Sequence, residues 1–245
     1  MEPRRMIPSE IFRFDIVDST NDRAKEMLDQ DLREGAVIVA ARQASGRGRY
    51  GRAWASPPGG LYLSIVLRPK EKKVQLLSLL SGLPVVRALR GLGIEASLKW
   101  PNDVLVNGKK ICGILCEGVY RHEAFWAIVG IGVNVATDIR RLPKDVQSDA
   151  TSLRRELGKD AEPESILENL LKEYDNFYDS YSHQGPERLL TEYRGLCTTL
   201  VKPVSVETAK GRISGTATDI SPDGALVLER NGKKVEIFEG TLVRA

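Results

Sequence analysis

The chain places the dipeptide Asn107-Gly108 between two apolar runs, Val104–Val106 and Ile111–Cys116. Both central residues of a type I′ turn need a positive φ, which asparagine and glycine adopt at the least cost. The dipeptide therefore predicts an antiparallel hairpin near the middle of the chain. A third apolar run, Ala124–Ile131, is expected to pair with this hairpin.

Upstream of the hairpin, the apolar residues switch between helical and strand spacing. Helical spacing follows Asp18–Thr20, whose side chains suit a helix N-terminus, and it continues until Gly35. Residues 36–41 form a continuous apolar run and residues 61–67 alternate, so both segments are predicted to be strands. A mixture of helices and strands is therefore expected in this part of the chain.

Three further segments have the apolar spacing of amphipathic helices. Residues 74–91 show it first, with Pro84 expected to kink or break the helix. Glu164–Tyr181 predicts a long amphipathic helix, and Glu187–Leu196 predicts a shorter one.

The sequence pattern changes after about Thr198, where short apolar runs alternate with turn residues. The predicted strands are Val204–Glu207, Arg212–Ile220, Ala225–Glu229 and Val235–Phe238. This spacing predicts a small antiparallel barrel that packs on the main domain, because it is too short to bury much core by itself.

Composition excludes several classes of protein. With 42% hydrophobic and 28% charged residues, the 245-residue chain is typical of globular rather than disordered proteins. No apolar run approaches the ~20 residues that span a bilayer. The three cysteines are too few for a disulfide framework and indicate a reducing cytoplasm. The net charge of +3 does not by itself indicate nucleic-acid binding.

The charges are unevenly distributed, since residues 35–70 contain no acidic residue. The basic residues of this window are Arg42, Arg47, Arg49, Arg52, Arg68 and Lys70. Glycine lets the backbone approach a ligand closely, and guanidinium groups recognise anions, so this Gly- and Arg-rich segment is suited to binding an anion. A solvated basic loop is the alternative.

Residues Gly46–Gly51 match the pattern G-x-G-x-x-G after a predicted strand. A dinucleotide-binding site would also need a helix that begins inside the motif. Here Pro57–Gly60 follows, which cannot open a helix, and arginines fill the variable positions. A loop whose guanidinium groups contact phosphate or carboxylate fits this segment better.

Three other segments place polar groups beside strands. Lys99–Asp103 supplies a cation, an amide and a carboxylate at a strand end, Lys110 begins an apolar strand, and Gly130–Asn134 ends one. Each can also be an ordinary turn, strand end or loop. Cys112 and Cys116 are interpreted as buried small side chains, and two histidines are too few for a zinc site or a catalytic triad.

Taken together, five segments resemble the biotin protein ligases in order and spacing, and the resemblance covers nearly the whole chain. The segments are Ser19–Asn21, Gln43–Trp54, Lys99–Asp103, Lys110–Leu115 and Gly130–Asn134. The resemblance implies an α+β fold, with a mixed sheet like that of class II aminoacyl-tRNA synthetases and a C-terminal SH3-like β-barrel. The implied domains are a catalytic domain over residues 1–197 and an SH3-like domain over residues 198–245.

The same resemblance implies a ligase that joins biotin to ATP as biotinyl-5′-AMP and transfers it to a lysine of a biotin carboxyl carrier protein. The implied biotin-binding residues are Ser19, Thr20, Asn21, Gln43, Arg47, Gly48, Arg49 and Lys110. The first three and Gln43 would meet the ureido ring and nearby groups. Lys110 would meet the carboxylate and α-phosphate, and Lys110 and Arg49 are the expected catalytic residues. Residues 46–54 are expected to become ordered when biotinyl-adenylate binds.

For ATP and its Mg²⁺, the implied residues are Arg52, Trp54, Asn102, Asp103 and Asn134. Arg52 would meet phosphate, Trp54 would face adenine and Asn134 would hydrogen-bond the base. Asn102 and Asp103 would orient the nucleotide or its Mg²⁺.

The resemblance also sets expectations about partners. Only about 14 residues precede the first predicted strand, Phe14–Val17, which is too few for a winged helix-turn-helix, so a monofunctional enzyme that does not bind DNA is expected. A homodimer through the catalytic sheet, a cytoplasmic location and no membrane contact are also expected. The alternatives are a lipoate or octanoate ligase of the same fold and a non-enzymatic nucleic-acid binder.

Overall fold

The structure is a computed structural model and describes residues 6–243. Its strands are β1 (Glu10–Val17), β2 (Ala36–Gln43), β3 (Leu61–Leu67), β4 (Ala96–Lys99), β5 (Asp103–Val106), β6 (Lys109–Arg121), β7 (Ala124–Val133), β8 (Lys202–Thr208), β9 (Gly211–Ile220), β10 (Leu226–Arg230), β11 (Lys233–Ile237) and β12 (Thr241–Val243). Its α-helices are α1 (Thr20–Met27), α2 (Val74–Leu80), α3 (Gly82–Arg90), α4 (Lys144–Gln147), α5 (Leu153–Leu157), α6 (Pro163–Gln184) and α7 (Glu187–Leu196).

The first seven strands form one mixed sheet in the order β1-β2-β3-β7-β6-β5-β4. Only β1 and β2 run parallel, and every other neighbouring pair in this sheet is antiparallel. Asn107 and Gly108 have φ angles of 51° and 74°, so the predicted hairpin turn between β5 and β6 is confirmed. The predicted pairing of the next apolar run is also confirmed, since β7 pairs with β6 from Ala124 to Val133.

The two faces of this sheet are covered unequally. Side chains alternate along a strand, so Val129, Ile131 and Val133 of β7 lie on one face and Ile128 lies on the other. The first face joins the large core formed with α2, α3, α6 and α7. On the opposite face, α1 covers only a small cluster that includes Ile128. Beyond the N-terminus of α1 this second face is left open.

Two helix predictions were wrong in their boundaries. The helix predicted to run from Thr20 to Gly35 ends at Met27, and one 3₁₀ turn follows before Asp31 adopts a left-handed φ of 58°. The segment 74–91 does break, but at Ser81, so Pro84 lies in the first turn of α3. Proline is tolerated there because that N–H has no intrahelical acceptor.

The C-terminal strands form a separate five-stranded antiparallel sheet in the order β11-β10-β9-β8-β12. Its outer strands are not hydrogen-bonded to each other, so this predicted barrel is an open sheet. The domain boundary at residues 197 and 198 stays a prediction, and its outer limits at residues 1–5 and 244–245 lie outside the described residues.

Specific polar contacts join the second sheet to the first part of the chain. The indole N–H of Trp100, which is 1% exposed, donates to the Gly224 carbonyl at 3.2 Å. The Arg194 guanidinium of α7 pairs with the Asp219 carboxylate of β9 at 2.6 Å. Across residues 6–243 no helix is long and apolar enough to cross a membrane.

Candidate functional site

A cavity of 770 Å³ lies on the open face of the seven-stranded sheet, beside the N-terminus of α1. All the site residues predicted from the sequence line it: Ser19, Thr20, Asn21, Gln43, Arg47, Gly48, Arg49, Arg52, Trp54, Asn102, Asp103, Lys110 and Asn134. The fold therefore brings five distant segments of the chain to one place.

The floor of the cavity is built from glycines on neighbouring strands. Gly113 of β6 lies directly opposite Gly132 of β7, and the indole ring of Trp54 lies over both. A Cβ at Gly132 would come within 2.4 Å of Trp54 Nε1, and a Cβ at Gly113 within 2.8 Å of Trp54 Cζ3. Only glycine at these two positions therefore lets an aromatic ring approach the sheet this closely. The Trp54 indole N–H is buried and has no hydrogen-bond partner among the described residues.

One end of the cavity carries a chain of neutral hydrogen-bonding groups. The backbone N–H of Thr20 donates to Gln43 Oε1 at 2.8 Å, and the Gln43 amide donates to Ser56 Oγ at 2.8 Å. Ser56 Oγ in turn donates to the Trp54 carbonyl at 3.1 Å. This chain fixes the orientation of the Gln43 amide, and Ser19 and Thr20 beside it are each 3% exposed.

The segment 46–54 folds back on itself as a short turn at the mouth of the cavity. Gly48 N–H donates to the Arg52 carbonyl at 2.7 Å, and Trp54 N–H donates to the Gly46 carbonyl at 2.8 Å. The Arg49 guanidinium donates to Tyr50 Oη at 2.9 Å and lies over that ring. The predicted ordering of this segment by ligand stays a prediction.

Arg47 and Arg52 contact protein groups in this structure. Arg47 pairs with the carboxylates of Asp22 and Glu117. Arg52 donates to Thr241 Oγ1 at 2.9 Å, which is a contact between segment 46–54 and the C-terminal sheet.

Lys110 and Asp103 form the central ion pair of the cavity. Lys110 Nζ lies 2.6 Å from Asp103 Oδ1 and 5.2 Å from the centre of the Trp54 ring. The backbone of Lys110 is fixed on both sides, because its N–H donates to the Asp149 carbonyl and its carbonyl accepts from Thr151 N–H. A cation is therefore held in a defined position above the glycine floor.

The two asparagines assigned to the nucleotide are used differently by the fold. Asn102 donates its side-chain amide to the Ile114 carbonyl at 2.7 Å, next to the irregularity in β5–β6 pairing at Val104 and Leu105. Asn134 donates to the Thr151 carbonyl at 3.1 Å, but its Oδ1 is buried without a partner among residues 6–243. A buried oxygen of this kind can accept a hydrogen bond from a ligand.

The cavity residues that were given no role from the sequence include Lys99, residues between Leu142 and Ala150, and residues 240–242. The Lys99 side chain lines the cavity and has no ion pair or hydrogen bond within residues 6–243, and its place in the Lys99–Asp103 motif was a usable signal. Residues 240–242 also line the cavity. No sequence signal could have found them, because they reach the site only through the packing of the two sheets.

Neither a metal centre nor a reactive thiol is built from the described residues. Within residues 6–243 no group of three His, Cys, Asp or Glu side chains could hold a metal ion. Cys112 and Cys116 are free, and burial raises the pKa of both thiols well above the usual range. Thiols of raised pKa are poor nucleophiles. Cys112 is buried in the core as predicted, whereas Cys116 is only partly buried and packs against that core.

Comparison with known proteins is consistent with this architecture. Residues 13–134 match the Biotin/lipoate A/B protein ligase family, and residues 200–241 match the Biotin protein ligase C terminal domain. The structure aligns with a biotin protein ligase from Aquifex aeolicus in complex with biotin and ATP, with a TM-score of 0.86 and 32% identity over 97% of this chain and 100% of that chain.

Two curated relatives match most of the sequence. The biotin–[acetyl-CoA-carboxylase] ligase of Mycobacterium tuberculosis is 35% identical over 86% of this chain and 79% of its own length. The bifunctional ligase/repressor BirA of Bacillus subtilis is 34% identical over 93% of this chain and 72% of its own length. With this identity over this coverage, the chain belongs to the biotin protein ligase family.

Proposed function

We propose that this enzyme forms biotinyl-5′-AMP from biotin and ATP and then transfers the biotinyl group to one lysine of a biotin carboxyl carrier protein. The observation that carries the proposal is the pairing, in one cavity, of a neutral hydrogen-bonding end with a fixed cation. The neutral end is Thr20 and Gln43, and the cation is Lys110 above the glycine floor. A ligand with an uncharged polar ring and a carboxylate matches that division.

In the first step, an oxygen of the biotin carboxylate attacks the α-phosphorus of ATP. A carboxyl–phosphorus bond forms, the bond from the α-phosphorus to the bridging oxygen breaks, and pyrophosphate leaves. Lys110 would offset the repulsion between the two anions and stabilise the charge that develops on the α-phosphate oxygens. Asp103 holds the Lys110 ammonium in place at 2.6 Å.

In the second step, the neutral amine of the carrier lysine attacks the acyl carbon. The new bond is the amide, the bond to the phosphate oxygen breaks, AMP leaves with the electron pair, and the amine loses a proton to solvent. Segment 46–54 at the cavity mouth is the part of the chain that would retain the reactive adenylate between the two steps.

The remaining residues are assigned by the groups they present. Ser19, Thr20, Asn21 and Gln43 would surround the ureido ring, with Arg47, Gly48 and Arg49 covering the ligand. Trp54 would meet adenine, Arg52 and Lys99 would meet phosphates, and the unpartnered Asn134 Oδ1 would accept from the exocyclic amine of the base. Asn102 would act by fixing the strand end beside Asp103.

Mg²⁺ would enter with ATP as part of the substrate. This ion is commonly bound by one or two carboxylates together with substrate phosphates rather than by a cage of protein ligands. Among the aspartates that line the cavity, Asp103 is the one proposed for that role because it pairs with Lys110 at 2.6 Å.

The test combines the purified protein with ATP, Mg²⁺, biotin and a carrier domain. We expect biotin-dependent release of pyrophosphate and the addition of one biotinyl group to one carrier lysine. Lipoate in place of biotin is expected to give neither product. Pyrophosphate release with lipoate alone, or with neither acid, would contradict the proposal, and steeply salt-dependent binding to random duplex DNA would favour a nucleic-acid binder.

Lys110→Ala is the decisive variant. It should lower the rate of adenylation by about 100- to 1,000-fold, because a preorganised cation on the transition-state charge is lost. The matched control is Lys109→Ala, since Lys109 precedes it on the same strand and does not line the cavity. Adenylation by the Lys110 variant at the wild-type rate would remove Lys110 from the mechanism.

Membership of this family also supports expectations about the oligomeric state and the cellular compartment. We expect a homodimer formed through the catalytic sheet, which sedimentation of the purified protein would test. The free state of Cys112, Cys116 and Cys197 supports a reducing compartment such as the cytoplasm.

A further inference from the structure

Glu117, on β6 behind the cavity residues Asn21 and Arg47, joins β6, α1 and segment 46–54 through one carboxylate. Its Oε1 accepts from Lys25 Nζ of α1 at 2.7 Å. Its Oε2 accepts from the Asn21 amide at 2.7 Å and from the Arg47 guanidinium of segment 46–54 at 3.1 Å. No feature of the sequence singles out Glu117.

The charges around Glu117 keep it ionised. Burial works against ionisation, but hydrogen bonds from Lys25 and Asn21 and the charges of Lys25 and Arg47 outweigh it, so the pKa of Glu117 lies below its usual value. Asp22 is the other carboxylate of this group and contacts both Lys25 and Arg47. Glu117 is therefore a charged acceptor at neutral pH.

The orientation of the Asn21 side chain depends on this acceptor. Its amide nitrogen donates to Glu117 and, at 3.3 Å, to the Leu115 carbonyl, while its Oδ1 accepts from Ser64 Oγ at 2.6 Å. A Cβ at Gly130 would come within 2.4 Å of Asn21 Oδ1, so this amide lies tightly against the floor. Both amide hydrogens are used inside the protein, which leaves Asn21 as a fixed wall of the pocket.

Arg47 depends on the same carboxylate. Its side chain is 39% exposed and lines the cavity, but its guanidinium pairs with Asp22 and Glu117. Its charge is thereby compensated by protein carboxylates, so it is a poor candidate for neutralising substrate phosphates. Its contacts instead tie the first part of segment 46–54 to α1 and β6.

We propose that Glu117 is a positioning residue that fixes the Asn21 wall of the biotin pocket and anchors segment 46–54 through Arg47. This proposal rests on the proposed function, since it assigns biotin to the pocket beside Asn21. Because one carboxylate oxygen serves both partners, biotin affinity and retention of the adenylate depend on the same residue. The chemical step at Lys110 does not depend on it.

The test is Glu117→Gln, which keeps the length of the side chain and one acceptor oxygen but brings an amide that repels the surrounding donors. We expect the Kd for biotin alone to rise about tenfold, as expected when a hydrogen bond to a charged group is lost. We expect a similar increase in the rate at which biotinyl-adenylate leaves the enzyme. The adenylation rate at saturating biotin should change less than about threefold, which a general loss of structure would not produce.

The matched control is Asp29→Asn. Asp29 is exposed, and its carboxylate pairs at 3.2 Å with Arg121, the last residue of β6, the strand that carries Glu117. This substitution should leave the Kd and the release rate unchanged. A double-mutant cycle between Glu117→Gln and Arg47→Ala should be non-additive for adenylate release, because both changes break the same anchor.

Three outcomes would overturn the proposal: wild-type biotin affinity in Glu117→Gln, additive effects in the cycle, or equal losses of biotin affinity and adenylation rate with a lowered melting temperature. These results are distinct from a failure of the proposed function. If the proposed function were wrong, the wild-type protein itself would neither bind biotin nor release pyrophosphate in the presence of biotin.

Discussion

Arg49 differs from its neighbours Arg47 and Arg52 because its guanidinium meets the Tyr50 ring and hydroxyl rather than another part of the protein. It is therefore the arginine of segment 46–54 whose removal disturbs the fold least. We expect Arg49→Gly to release biotinyl-adenylate several-fold faster, so that free adenylate labels bystander lysines. The measurement is biotin incorporation into an added protein that carries no carrier domain.

Tyr50→Phe is the control for Arg49→Gly, because it keeps the aromatic ring and removes only the hydroxyl acceptor. It should label the carrier alone. If the Arg49 variant also labels the carrier alone, Arg49 has no part in retaining the adenylate.

The lowered pKa of Glu117 gives a second prediction at the level of one residue. A carboxyl whose folded pKa is depressed contributes its interactions above its ordinary pKa, here 4.5, and loses them as the pH falls through the lower folded value. Biotin affinity should therefore hold at pH 4.5 and weaken only as the pH falls through the lower folded pKa of Glu117, where Lys25 and Arg47 come to face a neutral acid. Calorimetric titration across pH 3 to 7 should show this weakening in the wild type and a flatter profile in Glu117→Gln.

The paired glycines of β6 and β7 act as one element. Gly132→Ala places a methyl group 2.4 Å from the Trp54 indole nitrogen, so the ring has to leave its position on the sheet. We expect changed tryptophan fluorescence and an adenylation rate lowered by at least tenfold. Gly195→Ala in α7 is the matched control, since its added Cβ meets nothing within 4 Å; it should leave adenylation unchanged. Wild-type fluorescence in Gly132→Ala would mean that the ring does not lie on this floor.

The elements that the sequence predicts well are those with a local cause. The turn at Asn107-Gly108 needs positive φ angles that those residues supply, and the apolar spacing of 164–181 predicts α6 to within a few residues. The ends of helices are harder to predict from the sequence. No strong local signal marks the end of α1 at Met27, whereas the break at Ser81 lies beside Gly82 and close to Pro84, so there the sequence indicates a break but not its position.

In the candidate site, too, local features are predicted from the sequence better than contacts between distant residues. The site residues assigned from short contiguous motifs all line the cavity. Their partners were not predicted, since Glu117 is 96 residues from Asn21 and Thr241 is 189 residues from Arg52. The sequence therefore predicts residues that line the cavity better than it predicts which groups hold them in place.

At the scale of the whole molecule, Trp100 connects the two sheets. Trp100→Phe keeps most of the buried ring but leaves the Gly224 carbonyl without its indole donor. The free energy of unfolding should fall by about 1–3 kcal/mol, the cost of an unsatisfied buried group. Urea unfolding measures it, with Trp126→Phe as the control, because Trp126 is only partly buried. Equal stability of the two variants would show that the Gly224 contact contributes little.

Residues 240–242 of the C-terminal sheet form part of the cavity wall together with residues of the seven-stranded sheet. A molecule bound there gains its full binding energy only while both sheets are folded and in contact. Ligand concentration therefore controls the cooperativity of the entire chain: at 100 times Kd, binding adds about 2.7 kcal/mol to the free energy of unfolding. The two sheets should then melt as a single unit, even under conditions where the empty protein loses its C-terminal part first.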